Sequence, residues 1–272
     1  MKKFGVLFLV LLLTLGLTLS ACGSKQAEQT NSNQNQEQKQ EQKQKIVVAS
    51  DTSYAPFEFQ DPSTGKYVGF DMDLIQAIGE AVGLEVEIKS MNFDGVLTSV
   101  QSGTVDAAIS AISITDKRKE VMNFSEPYYD SGLAIVVKAD NNTIKSIDDL
   151  KGKRVAVQIA TTGADYANEL KAKGIVKEVK TFNTLPDALM ELRNNGVDAV
   201  INDWPVNAYY IKQSFSDLKM VGDKLSGESY GIAVPKSKPE ILAKINEGLK
   251  KVKESGKYAE IYEKWFGEKP KN

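Results

Sequence analysis

The chain has 272 residues, 42% of them hydrophobic, and its 34 basic and 36 acidic residues leave a formal net charge of −2. This composition supports one large or two medium globular domains and excludes a strongly basic nucleic-acid-binding surface. The chain contains no histidine and a single cysteine, which excludes catalytic triads, Cys–His nucleophiles, histidine-based zinc sites and disulfides. We expect no metal and no cofactor.

The N-terminus has the layout of a secretory signal, with two lysines, an apolar stretch over residues 4–19 and the sequence LSAC ending at Cys22. That ending resembles the bacterial lipobox, in which the cysteine takes a diacylglycerol and becomes the first residue of the mature chain. We therefore predict a signal peptide over residues 1–21 and a lipid on Cys22 that anchors the protein to the cell membrane, because two acyl chains suffice for stable anchoring. The alternatives are a plain signal peptide with an incidental cysteine and an uncleaved membrane helix.

Residues 22–44 are predicted to form a disordered tether. Between Cys22 and Ile46 the chain is almost wholly Gln, Asn, Glu, Lys and Ser, without an aromatic or branched apolar residue. Such a stretch buries too little apolar surface to offset the entropy of ordering it. Polar linkers of this kind act as flexible spacers, so we expect the tether to lift a globular body off the membrane.

From Ile46 onward, short runs rich in Val and Ile alternate with amphipathic stretches, which predicts an α/β fold with mainly parallel sheets. The predicted strands are residues 46–50, 86–89, 107–111, 133–138, 154–157, 176–180, 199–202 and 230–234. The predicted helices are residues 71–82, 94–101, 185–194, 238–254 and 257–266. A turn-rich segment at residues 61–65 predicts a hairpin.

One pattern occurs twice, as GTVDAAI at residues 103–109 and as GVDAVI at residues 196–201. Each copy follows a predicted helix and leads into a buried strand that ends in polar residues. Open α/β sheets bind ligands at the carboxyl ends of such strands, so the repeat predicts two similar lobes that deliver polar groups to a site. The alternative is that the pattern is only a common connection from a helix to a strand.

The sequence SITDKR at residues 113–118 predicts a site for a carboxylate. Thr115 or Asp116 is a suitable N-cap, which places Arg118 in the first turn of a helix and Ser113 just ahead of it. A carboxylate there would meet free backbone N–H groups and a guanidinium that holds two oxygens. The alternative is a surface arginine in an ordinary salt bridge.

Six motifs occur in a characteristic order. They are DTSYAPF at 51–57, GFDMDL at 69–74, FDG at 93–95, SITDKR at 113–118, FSEPY at 124–128 and YGIA at 230–233. With them the chain, from about residue 45 to 267, resembles the polar amino-acid solute-binding proteins of ABC importers, the group that binds arginine, glutamine or lysine, arginine and ornithine.

The resemblance implies a periplasmic-binding-protein fold of type II, in which two lobes joined by two crossing strands close on one amino acid. Lobe one would comprise residues 45–132 and 228–272, and lobe two residues 133–227. Arg118, with the backbone N–H groups of Ser113 and Thr162, would bind the α-carboxylate. The α-ammonium would be held by Asp203, Ser113 and the Ser110 carbonyl. Because the two charges come from opposite lobes, the ligand would favour the closed state.

The ligand side chain would lie between Tyr54 and Phe93, with Asp51 at its far end. Such a pocket suits a flat cation, because stacking of a guanidinium on an aromatic ring adds about 0.5 to 2 kcal/mol. The remaining residues of the implied site are Ala111, Gln158 and Thr161. Without the resemblance, burial tendencies favour Tyr54 and Phe93 as core residues, and Asp51 could equally be a strand-end cap.

The segment at residues 155–163 resembles arginine-binding members, whereas many glutamine-binding members carry Lys in place of Gln158. Without that lysine Asp51 is less neutralised, so arginine is the first choice of ligand, glutamine the second, and lysine or histidine the third. Asn202 and Ala160 depart from residues that are common in the family, and Trp204 has no assigned role.

The resemblance implies an extracytoplasmic, monomeric receptor that hands a free L-amino acid to a membrane permease, without catalysis and without nucleic acid. Two other classes stay open: a periplasmic dehydratase-like enzyme on the same fold, and a sensor that reports ligand to a membrane protein. The enzyme would need a buried general acid, which the sequence does not single out. Glu126, Asp130 and Glu228 are candidates for a rim or interlobe contact, although solvated charges are the simpler interpretation.

Overall fold

The computed structural model describes residues 43–270. The predicted signal peptide, the predicted lipid site at Cys22 and residues 22–42 of the predicted tether lie outside the described residues. Within 43–270, none of the helices combines the length and the apolar character that crossing a membrane requires.

The first of two five-stranded sheets consists of β1 (Gln44–Ser50), β5 (Leu84–Ser90), β6 (Ala107–Ala108), β7 (Met122–Phe124) and β15 (Ala233–Pro235). Their order across the sheet is β5-β1-β6-β15-β7. β1 is parallel to β5 and β6, whereas β15 is antiparallel to both of its neighbours. β1 begins at Gln44, inside the last residues assigned to the tether.

The second sheet consists of β9 (Leu133–Lys138), β10 (Arg154–Gln158), β11 (Glu178–Phe182), β12 (Ala199–Asp203) and β13 (Leu218–Val221). Their order is β11-β10-β12-β9-β13, and only β9 is reversed relative to the others. The two sheets therefore share one plan: each is mainly parallel, as predicted, with the reversed strand in the fourth position. We call the part built on the first sheet the first lobe and the part built on the second sheet the second lobe.

The chain crosses between the sheets twice, through β8 (Tyr129–Ser131) and β14 (Glu228–Tyr230), which pair antiparallel with each other. At Gly132 an added Cβ would lie 2.1 Å from the carbonyl oxygen of Ser226, so glycine permits the close approach of the two crossings. The single strand predicted over residues 230–234 is wrong: the chain pairs with β8 up to Tyr230 and joins the first sheet from Ala233. Each crossing delivers the reversed strand of the sheet it enters.

The described residues form helices on both sheets. They are α1 (Phe70–Val82), α2 (Phe93–Gln101), α3 (Asp116–Val121), a 3-10 turn (Ile147–Leu150), α4 (Thr162–Ala172), α5 (Leu185–Arg193), α6 (Trp204–Gln213), α7 (Pro239–Glu254) and α8 (Lys257–Phe266). A small antiparallel sheet of β2 (Ser53–Tyr54), β3 (Glu58–Gln60) and β4 (Tyr67–Val68) contains the predicted hairpin. α4 and α6 were not predicted, because polar residues interrupt their apolar periodicity.

Both sheets are buried on both faces. In β1, Val48 packs in one apolar cluster and Ala49 in another; in β10, Ala156 and Val157 are divided in the same way. Successive side chains of a strand point to opposite faces, so a strand covered on both sides reads as a continuous apolar run.

The repeated sequence pattern has the same structural role in both lobes. Asp106 accepts a hydrogen bond from the Val47 N–H at 2.7 Å and pairs with Lys238 at 2.8 Å. Asp198 accepts a hydrogen bond from the backbone N–H of Arg154 at 2.8 Å and forms an ion pair with the guanidinium of Arg154 at 2.9 Å. Each aspartate joins the start of the central strand, β6 or β12, to its parallel neighbour. The predicted pair of similar lobes is thus observed, while their exact boundaries stay a prediction.

Candidate functional site

Ten of the predicted site residues line one cavity. Those from the first lobe are Tyr54, Phe93, Ser110, Ala111, Ser113 and Arg118, and those from the second lobe are Gln158, Thr161, Thr162 and Asp203.

Strand ends supply four of these residues. Ser110 and Ala111 follow β6, Gln158 ends β10, and Asp203 ends β12. The two lobes therefore face each other with the carboxyl ends of their central strands, where open α/β sheets bind ligands.

Arg118 projects from the first turn of α3, as predicted. Thr115 is the N-cap and accepts the Arg118 N–H at 3.2 Å. The guanidinium donates from Nη1 to the Ser113 carbonyl at 2.8 Å and from Nη2 to the Ala160 carbonyl of the second lobe at 3.0 Å. Its central carbon lies 5.5 Å from the centroid of the Phe93 ring, an attractive cation–π arrangement.

The charge of Arg118 has no direct counter-ion among the described residues, whose ion pairs do not include it. Burial lowers the pKa of Arg118, and the more distant carboxylates of Asp203, Glu228 and Asp165 oppose that shift. An arginine side chain stays protonated in proteins, so the cavity contains a permanent positive charge that an anion can neutralise.

Two backbone N–H groups lie beside that charge. Ser113 and Thr162 both line the cavity, and neither N–H donates to an acceptor within residues 43–270. Thr162 opens α4, whose N-cap Thr161 accepts the Ala164 N–H at 3.1 Å. Free N–H groups at a helix N-terminus together with a guanidinium form a site for a carboxylate.

Asp203 supplies the opposite charge from the second lobe. It is 5% exposed and accepts a hydrogen bond from the Tyr230 hydroxyl. Burial raises the pKa of Asp203 to about 7, and the neighbouring Glu228 carboxylate adds to the shift, while the hydroxyls of Tyr230 and Tyr54 and the charge of Arg118 act against it. A cation placed against Asp203 would restore its ionised form.

Asp51 lies behind the cavity lining. Its Oδ2 accepts from Gln158 Nε2 at 2.7 Å and its Oδ1 from the Ser53 hydroxyl at 2.7 Å. Burial raises the pKa of Asp51, and these two hydrogen bonds oppose the shift. The second hydrogen of the Gln158 amide goes to the Asn183 carbonyl at 3.0 Å, which leaves the Gln158 carbonyl oxygen as an acceptor toward the cavity.

Tyr54 and Phe93 are both buried and both line the cavity, so they contribute to the core and to the site together. The Tyr54 hydroxyl donates to Asn202 Oδ1 at 2.8 Å across the lobes. Asn202, which departs from the residue common in the family, therefore holds an aromatic wall of the cavity in place.

Glu228, one of the three acids considered for a rim or interlobe contact, makes an interlobe contact, although solvation is the simpler expectation for an isolated glutamate. Its Oε2 accepts from the Ser113 hydroxyl of the first lobe and from the Thr162 hydroxyl of the second lobe, the latter at 3.0 Å. These partners are 115 and 66 positions away in the chain, so no local pattern could reveal them. Glu126 and Asp130 are exposed.

Trp204 remains without a role in the cavity. It begins α6, is 42% exposed and has Lys224 Nζ at 5.3 Å from its ring. Residues 43–270 contain no group of three or more acidic or cysteine side chains placed to hold a metal ion.

Comparison with known proteins identifies the family. Residues 46–268 match the model of the bacterial extracellular solute-binding proteins, family 3. An ancestral arginine-binding protein bound to glutamine is 44% identical and superposes with a TM-score of 0.78 over 84% of this chain and 100% of that chain. The arginine-, lysine-, histidine-binding protein ArtJ from Geobacillus stearothermophilus gives 44% identity and a TM-score of 0.78 over 84% of this chain and 97% of that chain.

A curated relative, the L-cystine-binding protein TcyJ of Escherichia coli (strain K12), is 31% identical over 223 residues, 82% of each chain. These relatives are binding proteins for amino acids. The match extends over both sheets, both crossings and the cavity between the lobes, and the predicted two-lobed fold is confirmed. The chain belongs to the bacterial extracellular solute-binding proteins, family 3.

Proposed function

We propose that this protein is an extracytoplasmic receptor that binds one free polar or basic L-amino acid, arginine in preference to glutamine, and delivers it to the permease of an ABC importer without catalysis. The observation that carries this proposal is the placement of Arg118 and Asp203, from different lobes, on the walls of one small cavity. Opposite charges on opposite walls complement the two charges that every free amino acid carries.

The α-carboxylate is assigned to Arg118 and the N–H groups of Ser113 and Thr162. Arg118 forms no ion pair among the described residues, and neither backbone N–H donates to an acceptor there. The α-ammonium is assigned to Asp203, with the Ser110 carbonyl as a further acceptor. A ligand that bridges both walls gains its full set of contacts only in the closed state, which makes closure depend on ligand.

The far end of the cavity favours a side chain rich in hydrogen-bond donors. Gln158 uses both hydrogens of its amide on Asp51 and Asn183, so it presents an oxygen to the cavity. The Asp51 carboxylate stands directly behind that amide. A guanidinium carries five donors and no acceptor and suits these groups, whereas a glutamine amide must also find a donor. Glutamine and arginine are each named as the bound ligand of a structural relative, which supports both candidates.

A panel of amino acids tests the proposal. Ligand at about 100 times its dissociation constant raises the unfolding free energy by about 2.7 kcal/mol, so a thermal-shift screen of all common amino acids detects a specific response. We expect the largest shift with L-arginine and a smaller one with L-glutamine. A larger shift with glutamine would reverse the proposed order of the two ligands. No shift with any amino acid would overturn the receptor proposal.

Truncated ligands test the assigned contacts separately. Agmatine keeps the guanidinium of arginine but lacks the α-carboxylate, and Nα-acetylarginine lacks the α-ammonium. We expect both to bind far more weakly than arginine in calorimetric titration. NMR spectra of arginine held with the protein for hours are expected to stay unchanged, and any conversion would favour the enzyme alternative.

Attachment to the membrane through Cys22 is part of the proposal. Expression of the full chain and of a Cys22→Ser variant in a bacterial host tests it. We expect the parent chain in the membrane fraction with incorporated palmitate and the variant without palmitate. Equal labelling of the two chains would contradict lipidation at Cys22.

A further inference from the structure

We propose that Glu58 and Asp71 form a buried carboxyl pair that holds a single proton between them and positions the turn at Ser110 and Ala111 beneath the cavity. Both side chains are 0% exposed and neither lines the cavity. The effect of this pair on ligand binding rests on the proposed function, whereas the shared proton does not.

Each carboxyl uses one oxygen to hold the turn. Glu58 Oε1 accepts from the Ser110 hydroxyl at 2.9 Å, and that hydroxyl accepts the Asp51 N–H at 2.9 Å. Asp71 Oδ2 accepts the Ala111 N–H at 2.8 Å and the Tyr128 hydroxyl at 2.8 Å. The pair therefore supports two residues of the cavity wall and the backbone of a third site residue.

The turn requires such support because Ala111 has a φ of 44°. Left-handed backbone conformations are unfavourable for residues with a Cβ atom and persist where the surroundings hold them. The hydrogen bond from the Ala111 N–H to Asp71 is one such restraint, and it orients the adjacent Ser110 carbonyl, the proposed acceptor for the ligand ammonium.

The second oxygen of each carboxyl group indicates where the shared proton lies. Glu58 Oε2 and Asp71 Oδ1 are buried and have no hydrogen-bond partner among the described residues, although the other oxygens of the two carboxyl groups bind the adjacent residues Ser110 and Ala111. Two ionised carboxylates would leave two unsatisfied buried oxygens and a repulsion between them. One proton on the pair converts both oxygens into a donor and its acceptor.

The fold brings the two carboxyls together through a close backbone approach. The Phe57 carbonyl accepts the Asp71 N–H at 2.9 Å, and the Pro56 carbonyl accepts the Phe70 N–H at 2.9 Å. Gly69 has a φ of +137°, and an added Cβ there would lie 2.0 Å from the Phe57 carbonyl oxygen. Glycine at this position lets the start of α1 lie against β3, which places Asp71 beside Glu58.

The groups that face the pair do not offer a positive charge in place of the proton. The titratable side chains around it are Asp51, Tyr54, Tyr128, Tyr210 and Tyr258. Burial raises the pKa of Glu58 well above its ordinary value, and raises that of Asp71 to about 6. Groups whose pKa rises on folding take up protons as the chain folds, and the stability they add is lost as the pH rises through the folded-state pKa.

Amide substitutions test the shared proton. In Glu58→Gln the amide oxygen can still accept from Ser110 while its N–H replaces the proton toward Asp71, and Asp71→Asn does the same from the other side. We expect each single variant to fold and to bind arginine within about threefold of the parent chain. The double variant sets two NH₂ groups against each other, so its loss of affinity is expected to exceed the product of the two single effects by about tenfold or more.

Proton uptake on folding, measured without ligand, is the readout that a purely structural role would not change. Calorimetric unfolding at pH 7 in buffers of different ionisation heat is expected to show about one proton fewer for Glu58→Gln than for the parent chain. The exposed Glu85→Gln is the matched control and is expected to leave the uptake unchanged. Equal uptake in Glu58→Gln and the parent chain would overturn the proposal.

Carbon-13 NMR titration of the parent chain keeps the test open if the variants fail to fold. We expect one of the two carboxyl groups, or an average of both, to show the shift of a protonated acid at pH 7. Two fully ionised signals at pH 7 would refute the pair. A failure here leaves the ligand panel untouched, so it is distinguishable from a failure of the receptor proposal.

Discussion

The two lobes are built on the same plan but present opposite charges to the cavity. Both sheets have the reversed strand in the fourth position, and in both an aspartate, Asp106 or Asp198, ties the central strand to its parallel neighbour. After the central strand of the first lobe come Ser110 and Ala111, with Arg118 following in α3. The central strand of the second lobe ends with Asp203 itself.

The difference shows which part of a lobe carries recognition. The sheet fixes where a ligand group can lie, and the few residues after the strand fix which group that is. The first lobe places its carboxyls, Glu58 and Asp71, beneath the turn, where they bind the turn instead of the ligand. The second lobe places its carboxylate at the cavity surface.

Removal of the cationic wall is expected to have the largest effect. Truncation of one member of a buried charge pair costs about 2 to 5 kcal/mol, so Arg118→Ala should weaken arginine and glutamine binding by roughly 30- to 3,000-fold. Isothermal titration calorimetry measures this effect. Lys117→Ala, which removes an exposed neighbouring charge, is the control, and near-normal binding by Arg118→Ala would show that the carboxylate is held elsewhere.

Removal of the anionic wall is expected to change both affinity and its pH dependence. The ligand ammonium requires ionised Asp203, whose pKa is raised to about 7 without ligand. Affinity should therefore fall as the pH drops below 7, by up to about tenfold per pH unit, with release of a proton on binding. Asp203→Asn should bind about 10- to 100-fold more weakly at pH 8 and lose this slope.

In the ligand-free protein, the raised pKa of Asp203 makes the folding stability decrease as the pH rises, whereas ligand affinity increases. Protonated Asp203 contributes stability that is complete below its unfolded-state pKa and is lost as the pH rises through about 7. Urea unfolding from pH 5 to 8 measures it. A stability slope that Asp203→Asn leaves unchanged would mean that other groups account for it.

Substitution of a residue that selects the ligand side chain is expected to weaken binding less than removal of either charged wall. Asp51→Asn keeps the size of the side chain but removes a charge behind Gln158, so we expect about tenfold weaker arginine binding and less than about threefold change for glutamine. Asp94→Asn, a nearby acid that does not line the cavity, serves as the control. Equal losses for both ligands would place the selectivity outside Asp51.

The smallest effect is expected where the lobes are alike. Asp106→Ala and Asp198→Ala each remove a hydrogen bond to a strand N–H, and each should lower the unfolding free energy by about 1 to 2 kcal/mol without changing ligand affinity. Urea unfolding of both variants measures the cost. A large effect in one lobe and none in the other would break the equivalence of the two scaffolds.

Local pattern was enough to predict the elements whose ends depend on neighbours in the chain. β9 and α8 lie at the predicted residues 133–138 and 257–266, and α1 ends at the predicted Gly83, in the left-handed conformation. Apolar periodicity and a C-terminal glycine determine such elements within a few turns. Resemblance to the family added the two charges expected at the site, Arg118 and Asp203, which the structure brings to one cavity.

By itself, then, the sequence determined the α/β class, the repeated lobe and the residues that follow each central strand, because these follow from short-range periodicity and capping. Tertiary structure alone decided where the chain leaves one sheet for the other at Tyr230, the role of Glu228 and the meeting of Glu58 with Asp71. Partners in these contacts come from different elements, and Ser113 lies 115 positions from Glu228. Only the close approach of separate backbone segments, as at Gly69 and Gly132, sets such distances.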